Sequence, residues 1–99
     1  MKEKILAAIT IGQAPRVDIT ADILPLLPQH VTLREYGALD DFTLEEIEVR
    51  FAPAEGDEVL VSRMRDGRQA QFAERFVTPL VQQKIDQAEA EGADATILF

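Results

Sequence analysis

The sequence predicts an α/β domain, a three-layer sandwich with a mainly parallel sheet plus one β-hairpin. Three observations predict it. Apolar segments of strand length alternate along the chain with segments of helical periodicity. The first of them, "KILAAITI", is apolar at almost every position, the pattern of a strand covered on both faces as in parallel sheets. Third, "RDG" sits between two alternating segments, which marks the turn of a hairpin.

The elements follow in order. Lys4 to Ile11 is the first strand, and the loop "GQAPR" ends it. "VDITADILPLL" is a helix with a weak point at Pro25, because proline lacks the N–H that a helix interior needs. Asp18 suits its N-cap or first turn, where the helix dipole favours a carboxylate. "HVTLREYG" is a second strand, with Val31, Leu33 and Glu35 on one face and Thr32, Arg34 and Tyr36 on the other. After "GALDD" comes the short helix "TLEEIEVRFA", opened by a capping box in which Thr43 and Glu46 satisfy each other's amides. "EVLVSRM" and "RQAQFA" flank Asp66-Gly67 as the hairpin. "ERFVTPLVQQKIDQAEAEG" is the longest helix. Its inner face is Val77, Leu80, Val81, Lys84, Ile85 and Ala88, and Gly92 is its stop. Pro79 either sits in the first turn after a Thr78 cap or kinks a helix that begins earlier. "ADATILF" is the last strand, expected inside the sheet beside Lys4 to Ile11 and apolar on both faces.

The chain has 99 residues, which fits one domain spanning residues 1–99. A natural domain rarely stops on an apolar strand, so the chain is expected to be the front part of a longer protein. Its net charge of −8 argues against nucleic acid or an anionic membrane surface as a partner. The absence of cysteine excludes disulfides, thiolate metal sites and a cysteine nucleophile within these residues. No apolar run approaches the roughly 20 residues that span a bilayer. The start "MKEKILAAITIG" faintly imitates a signal peptide but stops at Gly-Gln instead of a small-residue cleavage site, so a cytoplasmic protein is expected.

The loop "GQAPR" is the foremost candidate site. Right-handed crossovers place it at the end of the sheet where open α/β sheets bind ligands. Gly12 permits a sharp turn and close backbone approach, Gln13 offers a neutral donor, and Arg16 can fork onto a carboxylate or phosphate. The competing reading is a plain turn in which Gly12 and Pro15 make the bend and Arg16 is solvated. Asp40 in "GALDD", at the same end, either orients a ligand's amine or hydroxyl or caps the turn. The acidic group Asp40, Asp41, Glu45, Glu46 and Glu48 reads as a solvated helix face in preference to a cation site. "SRMRDGR" carries Arg63, Arg65 and Arg68, the one basic patch, and pairing with local carboxylates is favoured over a binding role. His30 has no assigned role. Neither a dinucleotide fingerprint nor a phosphate-binding P-loop occurs, and no cofactor is expected.

Three stretches, "ITIGQAPRVDITADI", "YGALDDFTLEEI" and "EVLVSRMRDGRQAQFAERFVTPLVQQKI", together resemble the AroM family. Members are roughly twice as long as this chain. The family is distantly similar to the aspartate/glutamate racemase superfamily, whose two α/β halves enclose a site where two cysteines, one per half, invert an α-carbon as acid and base. The resemblance implies a truncated first half of such a two-lobed fold, with a cysteine loop following "ATILF". It carries Gly12, Gln13, Pro15 and Arg16 over as a first substrate-side loop facing a small carboxylate-bearing molecule. Less firmly, it carries over Asp40 and the Arg65-Asp66-Gly67 turn. The expected role is therefore the front lobe of a cofactor-independent, racemase-like isomerase. The alternative is a non-catalytic ligand-binding or regulatory protein on the same fold. Self-association into homo-oligomers is expected of the isolated chain.

Overall fold

A computed structural model describes residues 3–98. The elements run β1 (Lys4–Thr10), α1 (Val17–Ile23), a single 3-10 turn (Leu24–Leu26), β2 (Val31–Gly37), α2 (Leu44–Arg50), β3 (Val59–Arg63), β4 (Gln69–Ala73), α3 (Glu74–Ala90) and β5 (Ala95–Leu98). The fold is α/β, as the sequence predicts. β1 pairs in parallel with β2 on one side and β5 on the other, giving the order β2-β1-β5. β3 and β4 form a separate antiparallel pair.

β1 is the central strand and is apolar for that reason. Ala7, Ile9 and Tyr36 pack on one face against Ala88 of α3. The opposite face carries Ala8 and Glu35 and meets the start of α1, where the Arg16 amide donates to Glu35 Oε1 at 2.9 Å. A larger core lies beyond the sheet. There Leu60, Met64, Ala70 and Phe72 of the hairpin region pack with Leu39, Ile47, Phe51 and Val77. Val81 of α3 touches both cores, so this helix joins the sheet to the hairpin. Burying each large side chain contributes about 1.5–3 kcal/mol.

The hairpin stays apart from the parallel sheet because its pattern differs. Inward residues of β3 and β4 alternate with exposed ones, so only one face is covered. Its three-residue loop is closed by Met64 N–H to Arg68 O at 2.7 Å, and Gly67 takes the positive φ of 92° that such a loop needs.

Several local expectations are refined. Thr43 caps α2, with both arms of the capping box formed at 3.0 and 3.1 Å. α1 ends at Ile23 and gives way to the 3-10 turn at Pro25. Asp18 is in the first turn of α1, but Arg16 holds the N-cap position and no side chain caps that helix. α3 begins at Glu74, so Pro79 lies within it and Thr78 is no cap. The Thr78 hydroxyl instead donates to Glu74 O at 3.1 Å. The expected inner face of α3 is its buried and half-buried face.

β5 is a correction. It lies beside β1 but at the edge of the sheet, and Leu98 is 63% exposed. Among the described residues no strand pairs with its outer side, so an apolar sequence there does not bring two-sided burial. The expected end of that strand at Phe99, and the loop after it, lie outside the described residues, as does the start of the chain at Met1. Among the described residues no helix is long and apolar enough to cross a membrane.

The start of α3 is tied to the turn before β3. Arg75 Nε donates to Asp57 at 2.8 Å, and the Ala54 amide donates to the other Asp57 oxygen at 2.7 Å. These bonds, Arg75 first, hold the Asp57 carboxyl below its ordinary value. A carboxyl depressed on folding adds stability above its unfolded pKa of about 3.9 and loses it as pH falls through the folded value. Asp57→Asn is therefore expected to lower the melting temperature at neutral pH. Thermal melts from pH 7 to 2 should show the gap to wild type narrowing below pH ~4, and a gap independent of pH would remove Asp57 from this role.

Candidate functional site

The loops after β1 and β2 and the turn of the hairpin meet at the C-terminal end of the parallel sheet. Two shallow clefts open there, one on each side of Arg65. The first, of about 370 Å³, lies between the β2–α2 loop and the hairpin and includes Gln13, Asp40, Arg65 and Asp66. The second, of about 250 Å³, lies between the β1–α1 loop and the hairpin and includes Pro15, Arg16, Arg63, Arg65 and Gly67. Every candidate residue from the sequence lines one of these clefts except Gly12.

Gly12 is buried beneath the hairpin. A side chain on it would run into the Ser62 hydroxyl, and its Cβ would lie 3.1 Å from the Arg63 carbonyl oxygen. The glycine is there because β3 crosses over it. Gly37, on the neighbouring strand end, is equally confined. A Cβ there would lie 2.6 Å from both the Ala14 nitrogen and the Gly12 oxygen.

Gln13 is a brace between loops. Its amide donates to Leu39 O at 3.2 Å and Phe42 O at 2.7 Å, and its carbonyl accepts from Arg65 N–H at 3.2 Å. Both amide protons are thus committed inside the protein. The Ala14–Pro15 bond beside it is cis.

Asp40 binds three groups from three segments. One oxygen accepts from the Ala14 amide at 2.8 Å and from Arg65 Nη2 at 3.1 Å, while the other accepts from the Gly37 amide at 2.8 Å. The Arg16 amide is held by Glu35, as described above. The chain's own carboxylates therefore occupy the amides of Ala14 and Arg16. Sequence reasoning did not assign Glu35 this part. Its signal was an acidic residue alternating with Val31 and Leu33 on a half-buried strand face.

The arginines are largely paired. Arg65 pairs with Asp40, and Arg68 pairs with Asp66 at 2.7 Å and Glu45 at 3.4 Å. Arg16 grips Asp18 with two bonds, Nε at 3.0 Å and Nη2 at 2.9 Å. That bond holds the Asp18 carboxyl below its ordinary range, and the nearby Arg63 charge adds a little. Asp66 is held low by the Arg68 amide and guanidinium. Arg63 makes no ion pair among the described residues. Nor do the described residues contain a group of three or more metal-ligating side chains.

Residues 6–99 match the profile of the family described as AroM protein. The chain belongs to the AroM family. No curated relative and no solved structure matches it.

In this AroM-family chain the residues "GQAPR" and "LDD" meet because Gln13 and Asp40 bond across from one loop to the other. Asp40→Ala would leave the Ala14 and Gly37 amides without their acceptor. Urea unfolding is expected to show a loss of about 1.5–3 kcal/mol, the scale of hydrogen bonds to a charged group. Arg65→Ala removes only an exposed partner and is expected to cost about 0–1 kcal/mol. Equal costs for the two substitutions would mean that the ion pair, and not the amide bonds, is what Asp40 contributes.

Proposed function

We propose that this chain is the front lobe of a longer, cofactor-independent, racemase-like isomerase that holds a small carboxylate-bearing molecule at the C-terminal end of its parallel sheet. The observation that carries the reading is the convergence of Arg16, Arg63 and Arg65 on one 250 Å³ cleft at that end, in a protein of net charge −8. Guanidinium groups recognise carboxylates through paired, charge-assisted bonds, which Arg16 already displays toward Asp18. The cleft's size suits a ligand of few heavy atoms, being below the range for drug-sized molecules. In this reading the lobe anchors the carboxylate and stabilises charge developing beside it. The acid and base that remove and return the α-proton are cysteines supplied by chain beyond the strand "ATILF".

A second reading, a non-catalytic binding or regulatory protein, is favoured by the state of the cleft's own acids. Asp18 and Asp66 are both held as carboxylates by arginine, so neither has the pKa near neutrality that suits a general base.

Solvent exchange separates the two. The natural full-length protein is incubated in deuterium oxide with a panel of small amino and hydroxy dicarboxylates, and the α-proton signal is followed by NMR. The isomerase reading expects deuterium to enter the α-position of at least one compound that also binds. Binding without exchange would leave the non-catalytic reading standing, and absence of binding across the panel would overturn both.

A further inference from the structure

We infer that Arg63 is the anchor for the incoming carboxylate, and that Asp18 is an internal competitor which the ligand displaces from the cleft between the β1–α1 loop and the hairpin. The inference rests on the carboxylate-binding reading above but not on any catalysis.

The argument begins with the hairpin register. Arg63 is the last residue of β3, opposite Gln69, on the exposed face that also carries Val59 and Val61. Ser62 and Met64 on either side of it turn inward and are buried. Ser62 packs over Gly12, which fixes this strand end against the β1–α1 loop. The same crossing brings Arg63 to the cleft that holds Arg16 and Asp18. The other two arginines at this cleft have partners, Arg65 with Asp40 and Arg16 with Asp18. Arg63 has none among the described residues, so it is the cation that an arriving anion meets unpaired.

The cleft also contains a built-in example of what it binds. The Asp18 carboxylate lies in the fork of Arg16, while its side chain remains 41% exposed. Arg16 is much less exposed, at 17%, so the arginine is the packed member of the pair and the carboxylate is the one open to exchange with solvent. An ion pair this open to water is weak, so displacing it costs a ligand little. A second carboxylate, held between Arg16 and Arg63, would exchange one anion for another without exposing an unpaired arginine. Of the two oxyanions that a guanidinium fork accepts, carboxylate and phosphate, the one seated in this fork is the Asp18 carboxylate. The ligand class is therefore a short mono- or dicarboxylate.

The probe is succinate, with inorganic phosphate as the comparison, titrated into the natural full-length protein by calorimetry. Arg63→Gln is expected to weaken succinate binding by about tenfold or more, the scale of losing one charge-assisted bond. Arg63→Lys should restore only part of that loss, because an ammonium cannot fork. Asp18→Asn should tighten succinate severalfold, since the competitor no longer carries a charge. Arg75→Gln removes one positive charge at the other end of β3 and should leave affinity within about twofold. Arg63 and Asp18 are exposed, so folding of the variants is expected to survive and is checked by their melting temperatures. An unchanged affinity in Arg63→Gln, no tightening in Asp18→Asn, phosphate bound in preference to succinate, or no succinate binding at all would each overturn the inference. Succinate binding that depends on Arg63, with no α-proton exchange in any substrate, would keep the inference and reject only the isomerase reading.

Discussion

The Asp40 carboxylate is the constraint on which this end of the molecule depends. It binds the Ala14 amide of the loop after β1, the Gly37 amide at the end of β2, and the guanidinium of Arg65 on the hairpin. The ends of two paired strands and a hairpin from a separate sheet thereby acquire one geometry. Gln13 repeats the arrangement with an uncharged group, linking the β1–α1 loop to the β2–α2 loop and to the backbone of Arg65. Such cross-links are possible only where backbones approach closely. Gly12 and Gly37 supply that approach, since a methyl group at either place meets the hairpin or the neighbouring loop. The glycines and the polar braces are therefore one device. Without the first there is no room for the second.

This device changes what the loop "GQAPR" can do. Loop amides at the end of a parallel strand attract anions in general. Here Asp40 and Glu35 already occupy the amides of Ala14 and Arg16. That leaves side chains, and not these two backbone amides, to meet an anion, and among them the pairing decides which are available. Arg65 and Arg68 are tied to carboxylates, as the sequence reading favoured for this patch. In a protein with eight more acidic than basic residues, most arginines find an internal partner. In the proposed carboxylate-binding role, selectivity in the cleft would come from competition between internal and external carboxylates for the same guanidinium groups.

α3 carries the effect of these local contacts through the rest of the molecule. The domain is elongated, 52 × 25 × 20 Å, with two hydrophobic clusters in place of one. The N-terminal half of α3 packs with the hairpin and α2, where Phe51 meets Phe42 edge-to-face and Phe76 at a tilt. Its C-terminal half packs on β1 and β2, and Glu91 just beyond it accepts from Tyr36 Oη at 2.7 Å. One amphipathic helix thus sets the spacing between the hairpin and the sheet, and with it the width of the clefts between them.

The sequence by itself determined the elements whose causes are local. The capping box at Thr43 and Glu46 needs only residues three apart. The Asp66-Gly67 turn needs only a glycine where φ is positive, and the apolar stripe of α3 follows from its own periodicity. β1 was legible because burial on both faces leaves a continuous apolar run. Partnership across the chain was not legible. Gln13 and Asp40 stood out as polar residues at the right end of the sheet, but their spacing could not show that each would be bonded to the opposite loop. Gly12 read as a turn residue, whereas its neighbour is Ser62, fifty residues later. β5 read as interior because its residues are apolar, yet position in a sheet depends on which strands pair, and β5 pairs on one side only among the described residues. Arg63, Arg65 and Arg68 are alike as letters. Only the tertiary structure separates them, because a salt bridge depends on distance in space, and the chain brings an aspartate or glutamate to two of the three.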